Sequence, residues 1–351
     1  MEDFVYTGLA TRVIFGTGTL KQLADEAKRL GMSRPLVLST PHQVSEAERV
    51  AGLIGPQAAV FSGAVMHTPV EVTMEAMKVA AEAGADGVIA IGGGSTTGLS
   101  KAIALRTDLP QLIVPTTYAG SEMTPILGQT ENGSKTTLRD NRVLPETVIY
   151  DVSLTLGLPV GLSAVSGLNA IAHAVEALYA RDRNPVTDLM AEDGIRALAR
   201  ALPRIGRDGL DVEARSDALY GAWLCGISLG CVGMALHHKL CHTLGGMFDL
   251  PHAETHSVIL PYVMRYNMQA APDAAQKVAR ALRADNAATG LRNLAQEIGA
   301  PLSLAQIGMP AEGIGTAAIE ATSNPYWNPA PVTEPAIRAL LTDAFDGVWP
   351  D

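Results

Sequence analysis

Long apolar runs, basic clusters and paired cysteines are all missing from this sequence of 351 residues. No stretch reaches the ~18 apolar residues needed to cross a bilayer. The start, MEDFVYTGLATRVIFG, has neither the basic opening nor the apolar core of a signal peptide. The chain is therefore expected to be soluble and cytoplasmic, with no membrane partner. Its three cysteines, Cys225, Cys231 and Cys241, are not spaced as CxxC and read as buried free thiols rather than a disulfide framework. Lys+Arg number 26 against 36 Asp+Glu, a formal charge of −10 with no basic run, which excludes a nucleic-acid-binding surface. An acidic chain that handles an anionic small molecule must gather cations or backbone N–H dipoles in one place. Aromatic residues are scarce at 5%, so alanine, leucine and valine fill the interior, as in helices packed closely on a sheet.

At roughly 150 residues per domain, the length predicts two domains. From 35 to 151, short β-branched runs alternate with helical stretches: PLVLST (35–40), AAVFSG (58–63), GVIAIGG (87–93), QLIVPTT (111–117) and TVIYD (147–151). That rhythm predicts an α/β domain with a doubly wound parallel sheet, over 1–157. After Asp151 the β signals nearly stop, and segments such as SAVSGLNAIAHAVEALYA (163–180) and ATGLRNLAQEIGA (288–300) predict an all-helical second domain over 158–351. An Asn-Gly pair at 132–133 between polar flanks predicts a hairpin over 126–139.

Gly92, Gly93, Gly94 and Ser95 stand where the strand Val88-Ile89-Ala90-Ile91 ends and a helix begins. Glycines let backbone approach a pyrophosphate, and the N–H groups of the following helix attract its charge. The run is not GxGxxG, and a bare glycine run can be no more than a tight turn. After the next strand, Thr116, Thr117 and Ser121 offer hydroxyls where open α/β sheets bind ligands, although turn chemistry explains them equally well. At the end of the first strand of this series the chain reads Ser39-Thr40-Pro41, without the carboxylate that grips the ribose of NAD, so NADH and NADPH both remain open as cofactors.

Eight histidines are present, and five crowd into 237–256. His238 and His242 are four apart on one helix face, and His252 lies ten residues later in a Pro-His turn. His173 sits four after Asn169 on the first helix of the second domain. Imidazoles converging in this way could bind a metal, relay protons or hold an anion. A zincin is excluded because Lys239, not glutamate, follows His238. His237 shares no face with the pair and reads as a packed side chain.

The order FGTG (15–18), GGGS (92–95), PTTYAGSE (115–122), NAIAH (169–173), HHKLCH (237–242) and PHAETHSVILPYVMRYN (251–267) resembles the iron-containing alcohol dehydrogenase superfamily over essentially the full chain. PTTYAGSEMTPI, RVLPETVIYD and NPYWNP are similar to its maleylacetate reductase branch. The resemblance implies a dehydroquinate synthase-like fold, in which a dinucleotide-binding domain and a helical domain flank a cleft, and a homodimer. It also implies ene reduction: NAD(P)H reduces the C=C bond of maleylacetate, a small dicarboxylate, to 3-oxoadipate. Metal-dependent members hold their ion with an aspartate and three histidines, carried over here onto Asn169, His173, His238 and His252, with His242 near the substrate. Asn169 removes the only anionic ligand, so metal affinity should fall sharply, and the resemblance implies a reductase that works without a metal.

Hydride addition β to the ketone leaves an enolate oxygen that needs donors and an α carbon that needs a proton. His173, His242, His252 and Asn169 suit those roles, with His242 or His252 as the proton donor and His238 orienting its neighbours or holding a carboxylate. Lys239, Arg139 and Arg142 could supply positive charge for the two carboxylates, or be solvated surface groups. The turn Tyr326-Trp327-Asn328-Pro329 could line the pocket or pack in the core. The alternatives are a metal-dependent alcohol dehydrogenase using zinc or iron, and a nucleotide-binding sensor that has lost the chemistry.

Overall fold

A computed structural model of the chain describes residues 3–131, 134–324 and 326–349. It divides into two compact units, Gly8–Leu158 and a second unit that begins at Pro159 and takes in the N-terminal residues through Thr7. The sheet unit starts at Gly8, whereas the sequence places the start of the first domain at residue 1. Cys231 Sγ lies 3.9 Å from the Thr7 carbonyl oxygen, which ties the N-terminal segment to helical residues.

The strands of the first unit are β1 (Arg12–Gly16), β2 (Pro35–Leu38), β3 (Ala59–Phe61), β4 (Gly87–Gly92), β5 (Gln111–Pro115), β6 (Ile126–Glu131), β7 (Ser134–Arg139) and β8 (Thr147–Asp151). Six of them form one parallel sheet in the order β1-β8-β5-β4-β2-β3. Every residue of β2, β4, β5 and β8 is buried, which is why these strands read as unbroken apolar runs rather than alternating ones. The helices α1 (Leu23–Arg29), α2 (Val44–Ile54), α3 (Val70–Ala83) and α4 (Gly94–Thr107) make the crossovers. The chain runs outward from β2 to β3 and returns to β4 on the other side of β2. The carboxyl ends of β2 and β4 thus flank the point where the order reverses, the usual ligand crevice of an open α/β sheet.

β6 and β7 pair antiparallel as the expected hairpin, and Leu127 packs with Ala102 and Val143, with Leu138 against them. The Asn-Gly turn at 132–133 lies outside the described residues. Residues 3–11 carry no strand, and β1, which begins at Arg12, forms an edge of the sheet.

The second unit contains α5 (Val160–Leu178), α6 (Pro185–Arg207), α7 (Val212–Gly230), α8 (Leu236–Phe248), α9 (His252–Asn267), α10 (Pro272–Leu282), α11 (Ala287–Glu297), α12 (Gly313–Ser323) and α13 (Glu334–Asp346). α5 is buried on every side from Ser163 to Leu178, which its alanines, glycine and serines allow by letting neighbours approach closely. No helix among the described residues is long and apolar enough to cross a membrane.

Asp151, at the end of β8, fixes the turn after β1. Its carboxylate accepts N–H bonds from Gly18 (2.9 Å), Leu20 (2.8 Å) and Ser153 (3.0 Å), and the Ser153 hydroxyl at 2.6 Å. Burial alone would raise its pKa, but these bonds outweigh it and hold the carboxyl below its ordinary value. A lowered folded-state pKa contributes stability in full above the unfolded value, near 4, and loses it as pH falls through the folded value. Asp151→Asn should cost about 1–3 kcal/mol at pH 7 by urea denaturation. The gap to the parent should close below about pH 4; a gap independent of pH would contradict this role.

Candidate active site

At the crevice of the sheet unit, Gly93 caps α4, whose first turn has no side-chain cap and no acidic residue. Gly93 to Ser95 are partly or fully exposed, so the positive end of the helix is open. Gly92 has φ +147, and a Cβ there would meet Thr96 Oγ1 at 2.3 Å; one on Gly93 would meet Thr117 Cγ2 at 2.9 Å. The glycines thus let Thr117 pack on the turn and leave a backbone cradle of the kind that accepts a pyrophosphate. The residues fit a dinucleotide.

Gln43, unmarked by any sequence signal, ties the crevice loops together. Its Oε1 accepts from Thr40 Oγ1 at 3.2 Å, and its Nε2 donates to Thr116 Oγ1 at 3.2 Å. Thr117 is partly exposed, and Ser121 Oγ is buried without a protein partner, leaving it available to a ligand. Ser39 differs from its expected part. It is fully buried, and its hydroxyl donates to the Thr40 carbonyl (3.1 Å) and shares a hydrogen bond with the Ser62 hydroxyl (2.9 Å), so it braces the crevice instead of lining it.

Behind these loops lies a buried cation that sequence reasoning passed over. Lys101 Nζ donates to the carbonyl oxygens of Ser121 (2.5 Å), Thr124 (2.7 Å) and Ile126 (2.9 Å), and contacts Thr124 Oγ1 at 3.0 Å. Desolvation pulls its pKa down to about 7, opposed by the charge of Glu122. Four converging oxygens favour the three-donor ammonium over the amine. Glu122 is itself buried, accepts from Tyr150 OH at 2.8 Å, and is pushed up by desolvation. This network shapes the turn that carries Ser121.

In the helical unit, Asn169, His173 and Glu176 recur at i, i+4 and i+7 on one face of buried α5. The His173 and His238 rings stack at 5.3 Å between centroids, and His242 and His252 stack at 6.5 Å. The Glu176 carboxylate, missed in the sequence reading, binds His238 Nδ1 through Oε2 and accepts the His237 backbone N–H through Oε1 at 2.9 Å. Burial would raise the Glu176 pKa, but contact with His238 outweighs it and holds the carboxylate low. His237 Nε2 and His256 Nδ1 share a hydrogen bond at 2.9 Å, with Cys241 Sγ 3.7 Å from His237 Nε2. Cys241, His237 and His256 are grouped closely enough to suggest ligands, yet the imidazole spacing is that of a hydrogen bond. Desolvation, reinforced by neighbouring imidazoles, drives His173 and His256 well below the ordinary histidine value and His237 to about 3, so all three are neutral at pH 7.

Depth sorts the predicted residues. Asn169, His173 and His238 are buried, whereas Lys239, His242 and His252 are partly exposed. Lys239 and His242, three apart on α8, share the accessible edge of that helix, and no ion pair holds Lys239 among the described residues. Arg142 belongs elsewhere, since its guanidinium forks onto Asp140 at 2.6 Å and donates to the Leu105 carbonyl at 2.9 Å. Arg139 is exposed on the hairpin. Tyr326 packs against the helical core and Asn328 pairs with Asn267 at 2.8 and 3.0 Å, so this turn is partly structural; Pro325 beside it lies outside the described residues. Cys225 and Cys241 are buried free thiols, while Cys231 is partly exposed.

The donor set at the four carried-over positions is one amide and three imidazoles, all neutral ligands. The nearest carboxylate, Glu176, is spent on His238 and a helix end. With no anionic ligand among the four, a divalent cation there would have no directly bound countercharge, which weakens the fit without abolishing it.

Residues 10–152 match the family described as iron-containing alcohol dehydrogenase, and residues 163–345 match its C-terminal part. The chain is 61% identical over 352 residues to a maleylacetate reductase of Rhizobium sp. (strain MTP-10005), covering 100% of both, and 58% identical over 351 residues to one of Burkholderia cepacia, again covering 100% of both. The crystal structure of maleylacetate reductase from the same Rhizobium strain superposes with a TM-score of 0.95 at 60% identity, covering 100% of each chain.

Lys101→Met should destabilise the protein by about 3 kcal/mol, because Glu122 and four oxygens lose their cation. Adding Glu122→Gln should cost less than its own single effect, as read in a double-mutant cycle of urea midpoints. Additive costs would show that the two groups do not interact.

Proposed function

The chain belongs to the iron-containing alcohol dehydrogenase family, and from that premise we propose that it reduces the carbon–carbon double bond of maleylacetate to 3-oxoadipate. NADH or NADPH supplies the hydride, and no metal ion takes part. The observation that carries the reading is the accessible edge: Lys239, which no ion pair holds among the described residues, lies three residues before His242 on α8, and His252 stacks on His242.

Maleylacetate is an enone with a carboxylate at each end. A bound nicotinamide would supply a hydride to the alkene carbon β to the ketone, so that the π bond would break and the electron pair would move onto the ketone oxygen as an enolate. Imidazole N–H groups and the Asn169 amide can donate to that oxygen, where each well-aimed donor contributes about 3–4 kcal/mol. Protonation of the α carbon by His242 or His252 would complete the ketone. Both imidazoles are reachable from solvent for reprotonation, which His173, His237 and His256 are not. Lys239 binds one carboxylate. The open N-terminus of α4, with Thr116, Thr117 and Ser121, binds the dinucleotide.

Because no carboxylate stands at Ser39-Thr40, the crevice does not repel a 2′-phosphate, and both cofactors are expected to serve. Free cysteines support a cytoplasmic setting. β1, an edge strand preceded by exposed Phe4, Val5 and Tyr6, supports assembly as a homodimer.

The position of a label separates this reaction from carbonyl reduction. With cofactor carrying deuterium as the transferred hydride, the label should appear on the product methylene next to the far carboxylate. Label on a carbinol carbon would instead identify an alcohol dehydrogenase. Lys239→Met should raise the KM for the dianion roughly ten- to a hundredfold with the KM for cofactor unchanged; an unchanged substrate KM would remove Lys239 from the site. The His242→Ala/His252→Ala double variant should lose at least about a hundredfold in kcat, and normal turnover would overturn the donor assignment.

A further inference from the structure

Among the described residues, Glu176 is the one buried carboxylate bonded to the histidine cluster, and its two oxygens face different kinds of donor. Oε1 accepts the backbone N–H of His237 at 2.9 Å, and the Ala235 N–H also bonds this carboxylate. α8 has no side-chain cap of its own at Ala235, so Glu176, reaching across from α5, caps that helix end, where the dipole favours an anion. Oε2 meets His238 Nδ1. On the far edge of the same ring, His238 Nε2 is buried with no protein partner.

We propose that Glu176 is a positioning residue that fixes the tautomer of His238, holding the proton on Nδ1 and presenting Nε2 as a bare lone pair. A carboxylate can only accept, so the ring nitrogen facing it must carry hydrogen, and a neutral imidazole has one to give. His238 is then excluded from donating to the enolate and from holding a substrate carboxylate. Those tasks pass to the amide and to the other imidazoles, and His238 Nε2 is left to accept a hydrogen bond from a neighbour, water or substrate. This deepens the reading of the site given above, but the tautomer exists without substrate and is read independently of turnover.

The substitution Glu176→Gln makes the logic testable, because an amide has one acceptor and one donor end. The backbone N–H of His237 cannot accept, so the amide oxygen must take the Oε1 position. The NH2 then faces His238 Nδ1, which has to become a lone pair, and the proton moves to Nε2. The side chain keeps its shape while the tautomer reverses.

The experiment is nitrogen NMR of the full chain labelled with 15N-histidine, at pH 8.5, where an ordinary imidazole is neutral, with His238 assigned by comparison with His238→Ala. The parent should show an Nδ1-protonated, Nε2-bare ring, and Glu176→Gln the reverse, with kcat reduced and the KM for NADH unchanged. An Nε2-protonated His238 in the parent overturns the proposal, as does an Nδ1-protonated ring that survives in Glu176→Gln. Should Glu176→Gln not fold, the parent spectrum alone decides between the two tautomers. Failure of maleylacetate turnover with the expected spectrum would count against the proposed reaction and leave the tautomer assignment standing.

Discussion

Burying polar groups inside a helix packed on all sides imposes the constraint from which the rest of the helical unit follows. α5 carries Asn169, His173 and Glu176 on one buried face, where an unpaired charge is expensive. The carboxylate is therefore bonded to an imidazole and a helix end, the deep imidazoles His173, His237 and His256 stay neutral, and the groups free to exchange protons with solvent are confined to the accessible edge. Small residues along α5 let its neighbours approach closely enough for α8 and α9 to bring their histidines within ring contact. On the proposed reaction, the same burial would strengthen each hydrogen bond aimed at a developing enolate.

The sheet unit solves a different problem with the same economy of charge. On the proposed reading, a dinucleotide brings two phosphates to an acidic protein, and an uncapped helix end would meet them, with glycines that admit backbone and a loop held in place from behind by Lys101. The cation lies under the loop as scaffolding, so its positive charge serves geometry more than direct ligand contact.

The strands were legible because fully buried parallel strands leave an unambiguous mark: β4 and β5 are apolar at nearly every position, and their neighbours reverse into helical spacing. The histidine crowd was equally visible, since five of eight within twenty residues is a compositional anomaly. Glu176 was not seen, although its spacing from Asn169 and His173 placed it on their face; a glutamate in a helix reads as solvated unless its whole helix is known to be buried. Lys101 was hidden for the same reason, because α4 buries Thr96 through Ala104 except at Gly98 and so shows no polar face. Gln43 had no signal at all, as its role arises only from loops that the sheet brings together. Ser39 looked like a ligand group by position, but its hydroxyl found a partner in Ser62, a residue of the neighbouring strand's loop that spacing does not reveal.

Asn169 concentrates the central claim, that a site built from neutral donors reduces an activated alkene without a Lewis acid. The most direct measurement is oxidation of NADH by the purified protein with maleylacetate, before and after exhaustive treatment with a strong chelator, with zinc and iron assayed in both samples. Turnover that is unchanged in metal-free protein is the predicted result. Turnover that disappears on chelation and returns with zinc or iron would contradict the account and make Asn169 a metal ligand.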